Sequence, residues 1–179
     1  MPETSAKCVA AATATARRLV LAAILIPSVL ALAMALTAER VFGIVGCDFC
    51  VLQRYPYVLT AAFAGAALLW PRPVVLRLAF AVCAGFFALG CGLSAYHVGI
   101  QQGWWTEAGL CAGSLPTPPP DLRALRVERR PACDEIDWNV LGLSLAALNG
   151  IYSAALALAA ALVSIRCGRG SRPTIGRAR

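Results

Sequence analysis

Charge is scarce in this sequence: only 14% of its 179 residues are Asp, Glu, Lys or Arg, against 59% hydrophobic. That scarcity excludes an ordinary soluble domain of this length, whose surface needs far more charge. Acidic residues are fewer than basic ones, 9 against 16, which leaves a formal charge of +7. A basic balance can signal nucleic acid, but a soluble binder would not carry four long apolar runs, so no nucleic-acid partner is expected. Internal repeats are missing as well. The eight cysteines do not make a secreted disulfide scaffold, because such chains are compact and polar. What remains is a chain whose solvent is lipid.

Residues 1–18 are polar and end basic, with Lys7, Arg17 and Arg18, and read as a cytoplasmic tail. The run Leu19 to Thr37 is long enough to cross a hydrocarbon core of ~30 Å at ~1.5 Å per residue. It is also longer than a signal-peptide core of ~7–15 residues, and Pro27 inside it predicts a kink. The second run is continuous only from Tyr57 to Trp70, about 21 Å of helix, which is too short to span. Its helix must start upstream, near Cys50 to Gln53, with Pro56 in the first turn. That start puts Cys50 at the helix mouth and Arg54 on the first turn.

Val74 to Tyr96 is the third run, with His97 at its end; Gly85, Gly90 and Gly92 permit close helix contact. A long proline-rich stretch, His97 to Trp138, follows, in which Asp121 to Glu128 could form one or two helical turns. Val140 to Ile165 is the fourth run, with Asn149 as an interhelical hydrogen-bonding residue. The expected organisation is a tail over 1–18, a four-helix membrane domain over 19–165 with spans near 19–37, 53–70, 74–96 and 140–165, and a basic tail over 166–179. The fold class is all-α.

Orientation follows from the basic residues beside the spans. The two tails and the turn at Arg72 and Arg77 hold 10 of the 16, and the other two loops hold 8 of the 9 acidic residues. Both termini are therefore expected in the cytoplasm, and Cys47, Cys50, Cys111 and Cys133 together on the outer side. Tyr55, Tyr57, Tyr96, Trp104, Trp105 and Trp138 lie near that surface as interfacial anchors.

Exposed cysteine pairs in an oxidising compartment become disulfides. Three chemistries are open to these four sulfurs. They could be a structural staple. They could be a zinc clip, although Cys111 and Cys133 are 22 positions apart and no second short clip exists. Or they could be a redox relay, in which Cys50 is the acidic thiol, favoured by a helix N-terminus and by Arg54. Arg54 at membrane depth is a functional candidate by default, the alternative being a side chain that snorkels to the headgroups. Asp134 and Glu135 should raise the pKa of Cys133 and make it the poorer nucleophile. Cys8, Cys83, Cys91 and Cys167 carry no redox role in this reading.

The ordered set Gly46-Cys47-x-x-Cys50-x-x-Gln53-Arg54-x-Pro56-Tyr57, Tyr96-His97-x-Gly99, Gly103-Trp104-Trp105, Cys111, Cys133-Asp134-Glu135, Trp138 and Gly142-Leu143-Ser144 resembles the bacterial DsbB family. These are the quinone-dependent disulfide bond formation proteins of the inner membrane, and the resemblance covers roughly residues 19–165. It implies a Cys111–Cys133 disulfide attacked by a reduced periplasmic, thioredoxin-fold DsbA-like protein, most readily at Cys111. Electrons would pass to Cys47–Cys50, with an exposed Cys47 exchanging with the loop pair. They would then pass from Cys50 to a membrane quinone, ubiquinone or menaquinone. Arg54 would polarise a quinone oxygen, and His97 and Gln53 would line the quinone site.

The dipeptide Asp48-Phe49 departs from the family, where a leucine before the second cysteine is more usual. A vitamin K epoxide reductase-like enzyme is a rival reading, but its CxxC is expected near the end of the bundle, not after the first span. A non-catalytic tetraspan protein with stapled or metal-binding loops is the other alternative.

Overall fold

The computed structural model describes residues 14–70, 72–106, 109, 111, 131–136 and 138–169. The tails over 1–13 and 170–179, and the candidate helical turns over 121–128, lie outside the described residues. Helix α1 is Ala14–Phe42, the short α2 is Asp48–Leu52, α3 is Tyr55–Leu69 and α4 is Pro73–Gln101. A two-stranded hairpin, β1 Asn139–Val140 and β2 Leu143–Ser144, leads into α5, Leu145–Arg169. The chain is an all-α membrane bundle of four long helices.

Three of these helices are long and apolar enough to cross a membrane: Arg18–Phe42, Val74–Gln101 and Leu145–Ile165. α3 has 15 residues, about 22 Å, and fills the fourth place in the bundle with α2 at its end. Pro56 and Pro73 sit in the first turns of α3 and α4, where a missing N–H leaves no hydrogen bond broken.

α5 lies mainly along α4 and α1 along α3, with α3 joining the two pairs. The core between them holds Leu21 and Ile24 of α1, Tyr57 and Ala64 of α3, and Leu76, Phe80 and Phe87 of α4. Large apolar side chains such as Met34, Phe63, Leu78, Leu89 and Leu158 point outward, as lipid-facing residues do. Because lipid is as apolar as leucine, close packing and interhelical hydrogen bonds hold such bundles. Of the glycines expected at helix contacts, only Gly90 is one: a Cβ there would stand 3.1 Å from Ser153 Oγ and 3.4 Å from Pro56. Gly85 and Gly92 face open space. Gly150, a glycine not anticipated, plays the same part on α5: a Cβ there would stand 3.1 Å from Ser94 Cβ of α4.

The polar part of the core is a single network. Tyr57 Oη donates to Asn149 Oδ1 at 2.7 Å and lies 2.7 Å from Ser153 Oγ. Asn149 Nδ2 donates to Ser94 Oγ at 2.8 Å and to Gln53 Oε1 at 3.1 Å. Asn149 thus ties three helices, each bond contributing roughly 0.6–2 kcal/mol in a membrane interior. Tyr57, expected at the interface, is buried instead because this network recruits its hydroxyl.

Several boundaries differ from the sequence expectation. α1 continues past Thr37 to Phe42, and α4 continues past Tyr96 to Gln101, so His97 lies inside a helix, not at its end. The last helix begins at Leu145, not Val140. Leu141 and Gly142 adopt φ of +54° and +84°, a tight hairpin conformation that no α-helix can pass through. Ser144 Oγ then caps the helix by accepting the Ala147 N–H at 3.2 Å, as N-terminal hydroxyls do.

Candidate functional site

The residue before α2 decides the chemistry of the CxxC pair. Cys47 has extended backbone, φ −61° and ψ 169°, and is the N-cap of α2: its Sγ accepts the Cys50 N–H at 3.2 Å. The Cys50 thiol shares a hydrogen bond with the same sulfur at 2.9 Å, and His97 Nε2 stands 3.6 Å away. These donors hold the Cys47 thiol down from an ordinary 9.0 to about 5, chiefly through the Cys50 thiol and against the opposing effect of burial. Cys50 is pushed up, because its proton is held by Cys47, because it is buried, and because an anion stands beside it. The Arg54 field acts the other way and is smaller.

The acidic thiol is therefore Cys47, not Cys50. The reason is local: a separate short helix, α2, begins at Asp48, ahead of the start expected near Cys50 to Gln53, so the sulfur at its mouth is Cys47. Cys47 is also buried, 4% exposed, and not the open exchange partner expected.

His97, 1% exposed, connects this pair to the rest of the site. Gln53 Nε2 donates to its Nδ1 at 3.0 Å, since Gln53 Oε1 already accepts from Asn149. The remaining ring hydrogen is then on Nε2, which donates to the Cys133 carbonyl at 3.1 Å and faces Cys47.

Cys111 and Cys133 form a disulfide with a Cα–Cα distance of 6.0 Å, and both are buried. Cys133 Sγ, Cys47 Sγ and the His97 ring nitrogen all lie within 4.8 Å of one another. Phe49 wedges this cluster, its ring centroid 5.4 Å from Tyr96 and 5.5 Å from His97. Trp105 stacks on Tyr96 at 5.6 Å and donates its indole N–H to the Tyr96 carbonyl at 3.0 Å. The Trp105 ring also lies flat against Gly99, where any Cβ would collide with it. Trp105 thus covers the site with one face while its other face is exposed, and Trp104 is more exposed still.

Arg54 does not stand alone. Its two terminal nitrogens clasp both oxygens of Glu39 on α1, at 2.9 and 2.7 Å. Gly46 passes between this ion pair and the dithiol: a Cβ there would lie 3.1 Å from Arg54 Nη2 and 3.2 Å from Cys50 Cβ.

Beside the dithiol opens a cleft lined by Cys47, Cys50, His97 and Gln101 together with apolar Ile136, Trp138 and Leu145. Gln101 Oε1 is buried there with no hydrogen-bond partner among the described residues. Apolar walls beside a thiol suit a flat, apolar ring.

Cys47, Cys50, Cys111, Cys133, His97 and Gln53 are thus gathered into one connected cluster, with Arg54 one residue behind it. Glu39, Phe49 and Gln101 are the site residues that sequence reasoning missed. Only Phe49 left a signal there, as the departure inside the CxxC.

A family model described as disulfide bond formation protein DsbB matches residues 17–163. Among curated proteins, disulfide bond formation protein B of Acidovorax sp. (strain JS42) is 31% identical over 179 residues, covering 92% of this chain and 97% of the relative. The same-named protein of Polaromonas sp. (strain JS666 / ATCC BAA-500) is 30% identical over 161 residues, covering 85% and 93%. That of Xanthomonas campestris pv. campestris (strain 8004) is 30% identical over 134 residues, covering 71% and 78%. No solved structure matches this chain.

Proposed function

This chain belongs to the DsbB family of disulfide bond formation proteins, and on that premise we propose that it reoxidises a periplasmic, DsbA-like dithiol protein and delivers the electrons to a membrane quinone. Family membership makes it a membrane-embedded disulfide oxidoreductase; the partner, the quinone, an inner-membrane location and the outward-facing loops are our reading. The observation that carries it is the approach of Cys47 Sγ to Cys133 Sγ and His97 within 4.8 Å. Two separate cysteine pairs are then close enough to exchange disulfides.

The relay balances as follows. A partner thiolate attacks Cys111 Sγ and expels Cys133 as thiolate; the second partner thiol attacks the mixed disulfide and leaves oxidised, freeing Cys111. Cys133 next attacks Cys47 of a Cys47–Cys50 disulfide and expels Cys50. Cys111 closes on Cys133 again and releases Cys47. The outcome is a Cys111–Cys133 disulfide beside a reduced CxxC, which is the sulfur pairing this structure holds. Cys47 is a good leaving group in the last step because its thiolate is stabilised.

A quinone, when bound, takes up two electrons and two protons at the end of this relay. Gln101, His97 and Cys50 would hold it along the cleft, with Arg54, fixed by Glu39, supplying positive field behind Gly46. Cys50 is the more open thiol of the pair and keeps the donor role. As charge develops on Cys50, its proton can pass to Cys47 along their 2.9 Å hydrogen bond.

The test is anaerobic mixing of the purified protein with a reduced DsbA-like protein and a soluble quinone. Quinone absorbance should fall in step with partner oxidation, and Cys50→Ser should abolish it. Full turnover without Cys50 would overturn the assignment.

A further inference from the structure

Three buried donor atoms that suit a metal ion converge at this end of the bundle: Cys47 Sγ, His97 and Cys133 Sγ, mutually within 4.8 Å. A tetrahedral Zn²⁺ with Zn–S of ~2.3 Å and Zn–N of ~2.0 Å sets its ligand atoms roughly 3.5–3.8 Å apart. The Cys47–His97 edge, 3.6 Å, already has that length. The remaining edges, within 4.8 Å, need to close by about 1.3 Å at most. Cys50 Sγ, 2.9 Å from Cys47 Sγ, is the further sulfur nearest Cys47 and lies outside the group of three. Its separation from Cys47 must open by less than 1 Å to take the fourth corner. A 22-residue gap between Cys111 and Cys133 argues against a zinc clip only while the second half of the clip must be local in sequence. Here α4 supplies it, through His97.

We propose that the fully reduced protein captures a borderline-soft divalent cation such as Zn²⁺ on Cys47, Cys50, Cys133 and His97, and that capture locks the sulfurs against exchange. Cys133 becomes available only when the Cys111–Cys133 disulfide is reduced. A dithiol does this: it leaves as a disulfide, and Cys111 and Cys133 become thiols. This single step rests on the proposed relay; the ligand geometry does not. The cation then displaces thiol protons into water, and no sulfur changes oxidation state. Oxidation of either pair removes at least one ligand and expels the ion. The site is therefore occupied only when electrons have backed up through the whole protein.

The surroundings suit a metal-bound histidine. Coordination through Nε2 needs the ring hydrogen on Nδ1, donated to an oxygen. Gln53 and Asn149 can both turn their amides end for end to provide this. Gln53 Oε1 then accepts from Nδ1–H and its NH₂ donates to Asn149 Oδ1. The Ser94 hydroxyl donates to that oxygen too, and Asn149 Nδ2 donates to Tyr57. Each contact among Gln53, Asn149, Ser94 and Tyr57 survives with its direction reversed, and the bond from Nε2 to the Cys133 carbonyl is given up.

The experiment uses the full chain in detergent, reduced with dithiothreitol, desalted anaerobically and titrated with Zn²⁺ against a chromophoric zinc indicator. One Zn²⁺ per reduced chain is expected, with none held by the oxidised protein. Affinity should fall at least ~10-fold in His97→Ala and in Cys133→Ser. It should persist when Cys8, Cys83, Cys91 and Cys167 are all changed to alanine. X-ray absorption of the wild-type complex should show a mixed sulfur and nitrogen shell, a readout that does not depend on any variant folding. Substoichiometric binding, an all-sulfur shell, or indifference to His97→Ala would overturn the site. Quinone reduction by the zinc-free protein is measured in parallel. If the zinc-free protein reduces no quinone although the reduced protein binds zinc, the relay falls and the metal site stands; quinone reduction by a protein that never binds zinc does the reverse.

Discussion

His97 Nε2 stands 3.6 Å from Cys47 Sγ and 3.1 Å from the Cys133 carbonyl oxygen. One imidazole on α4 therefore touches both cysteine pairs. Replacing it by alanine removes a donor from the Cys47 thiolate and frees the Cys133 loop together. Each unit of pKa that Cys47 regains corresponds to about 1.4 kcal/mol of lost thiolate stabilisation. His97→Ala should accordingly slow exchange between the pairs by roughly tenfold or more. Quenched alkylation followed by mass spectrometry reads the pairing directly.

The charge on Cys47 gives a pH signature. In the reduced protein, thiolate absorbance at 240 nm should be present at neutral pH and disappear as pH falls through about 5. The sign for stability follows from that depression. The unfolded chain holds the proton up to an ordinary thiol pKa near 9.0, whereas the folded chain has released it above about 5. The reduced fold thus gains stability from Cys47 as pH rises between those values and loses it as pH falls back through 5. Cys50→Ala removes the largest single cause of the shift, so the absorbance midpoint should move upward in that variant. A midpoint that stays put would mean the thiol of Cys50 is not what stabilises the anion.

Arg54 and Glu39 should behave as one unit. Arg54→Met leaves the Glu39 carboxylate without its two-point partner, and Glu39→Gln leaves the guanidinium without its counter-charge. Each single change should lower thermal stability in detergent, and the double change should cost less than the sum. The coupling should be about 1–3 kcal/mol for a half-buried, bidentate pair. A coupling near zero would mark the contact as an ordinary surface ion pair.

Much of this was legible in the residues, and the exceptions have identifiable causes. Apolar runs with charged ends located the long helices, because lipid leaves the backbone few alternatives to helix. The sulfurs of the site were legible from CxxC and the two later cysteines. The position of the anion was not, because a cysteine is not among the residues that usually announce a helix cap. Apolar residues Val51 and Leu52 also gave no sign of a helix ending before Arg54. Glu39 escaped because its partner lies 15 positions away on another helix, and no local spacing encodes that pairing. The start of α5 escaped because Leu141 occupies a left-handed conformation that sequence assigns to glycine or asparagine, not leucine.

Gly99 should tolerate no side chain. Its Cα faces the Trp105 ring so closely that even alanine must displace the indole. Trp105 would then leave its stack on Tyr96 and its bond to the Tyr96 carbonyl. Overpacking of this kind costs roughly 1–3 kcal/mol. Gly99→Ala should therefore lower the melting temperature and shift tryptophan emission to the red. Gly92→Ala, at a glycine facing open space on the same helix, is the control and should do neither.

Gln101 separates stability from function. Its Oε1 is buried in the cleft wall without a partner among the described residues, and an unmet buried acceptor destabilises a fold by about 1–3 kcal/mol. A residue kept only for packing would be better as leucine, so Gln101→Leu should leave the melting temperature unchanged or raise it. If the Gln101 NH₂ instead donates to an oxygen of a bound quinone, the same substitution should raise the quinone KM several-fold. Disulfide exchange between Cys47–Cys50 and Cys111–Cys133 should proceed at the wild-type rate, because Gln101 makes no bond to any sulfur. A stabilised protein with an impaired quinone KM and intact exchange would place the ring in this cleft. An unchanged KM would move it elsewhere and leave the thiol relay standing.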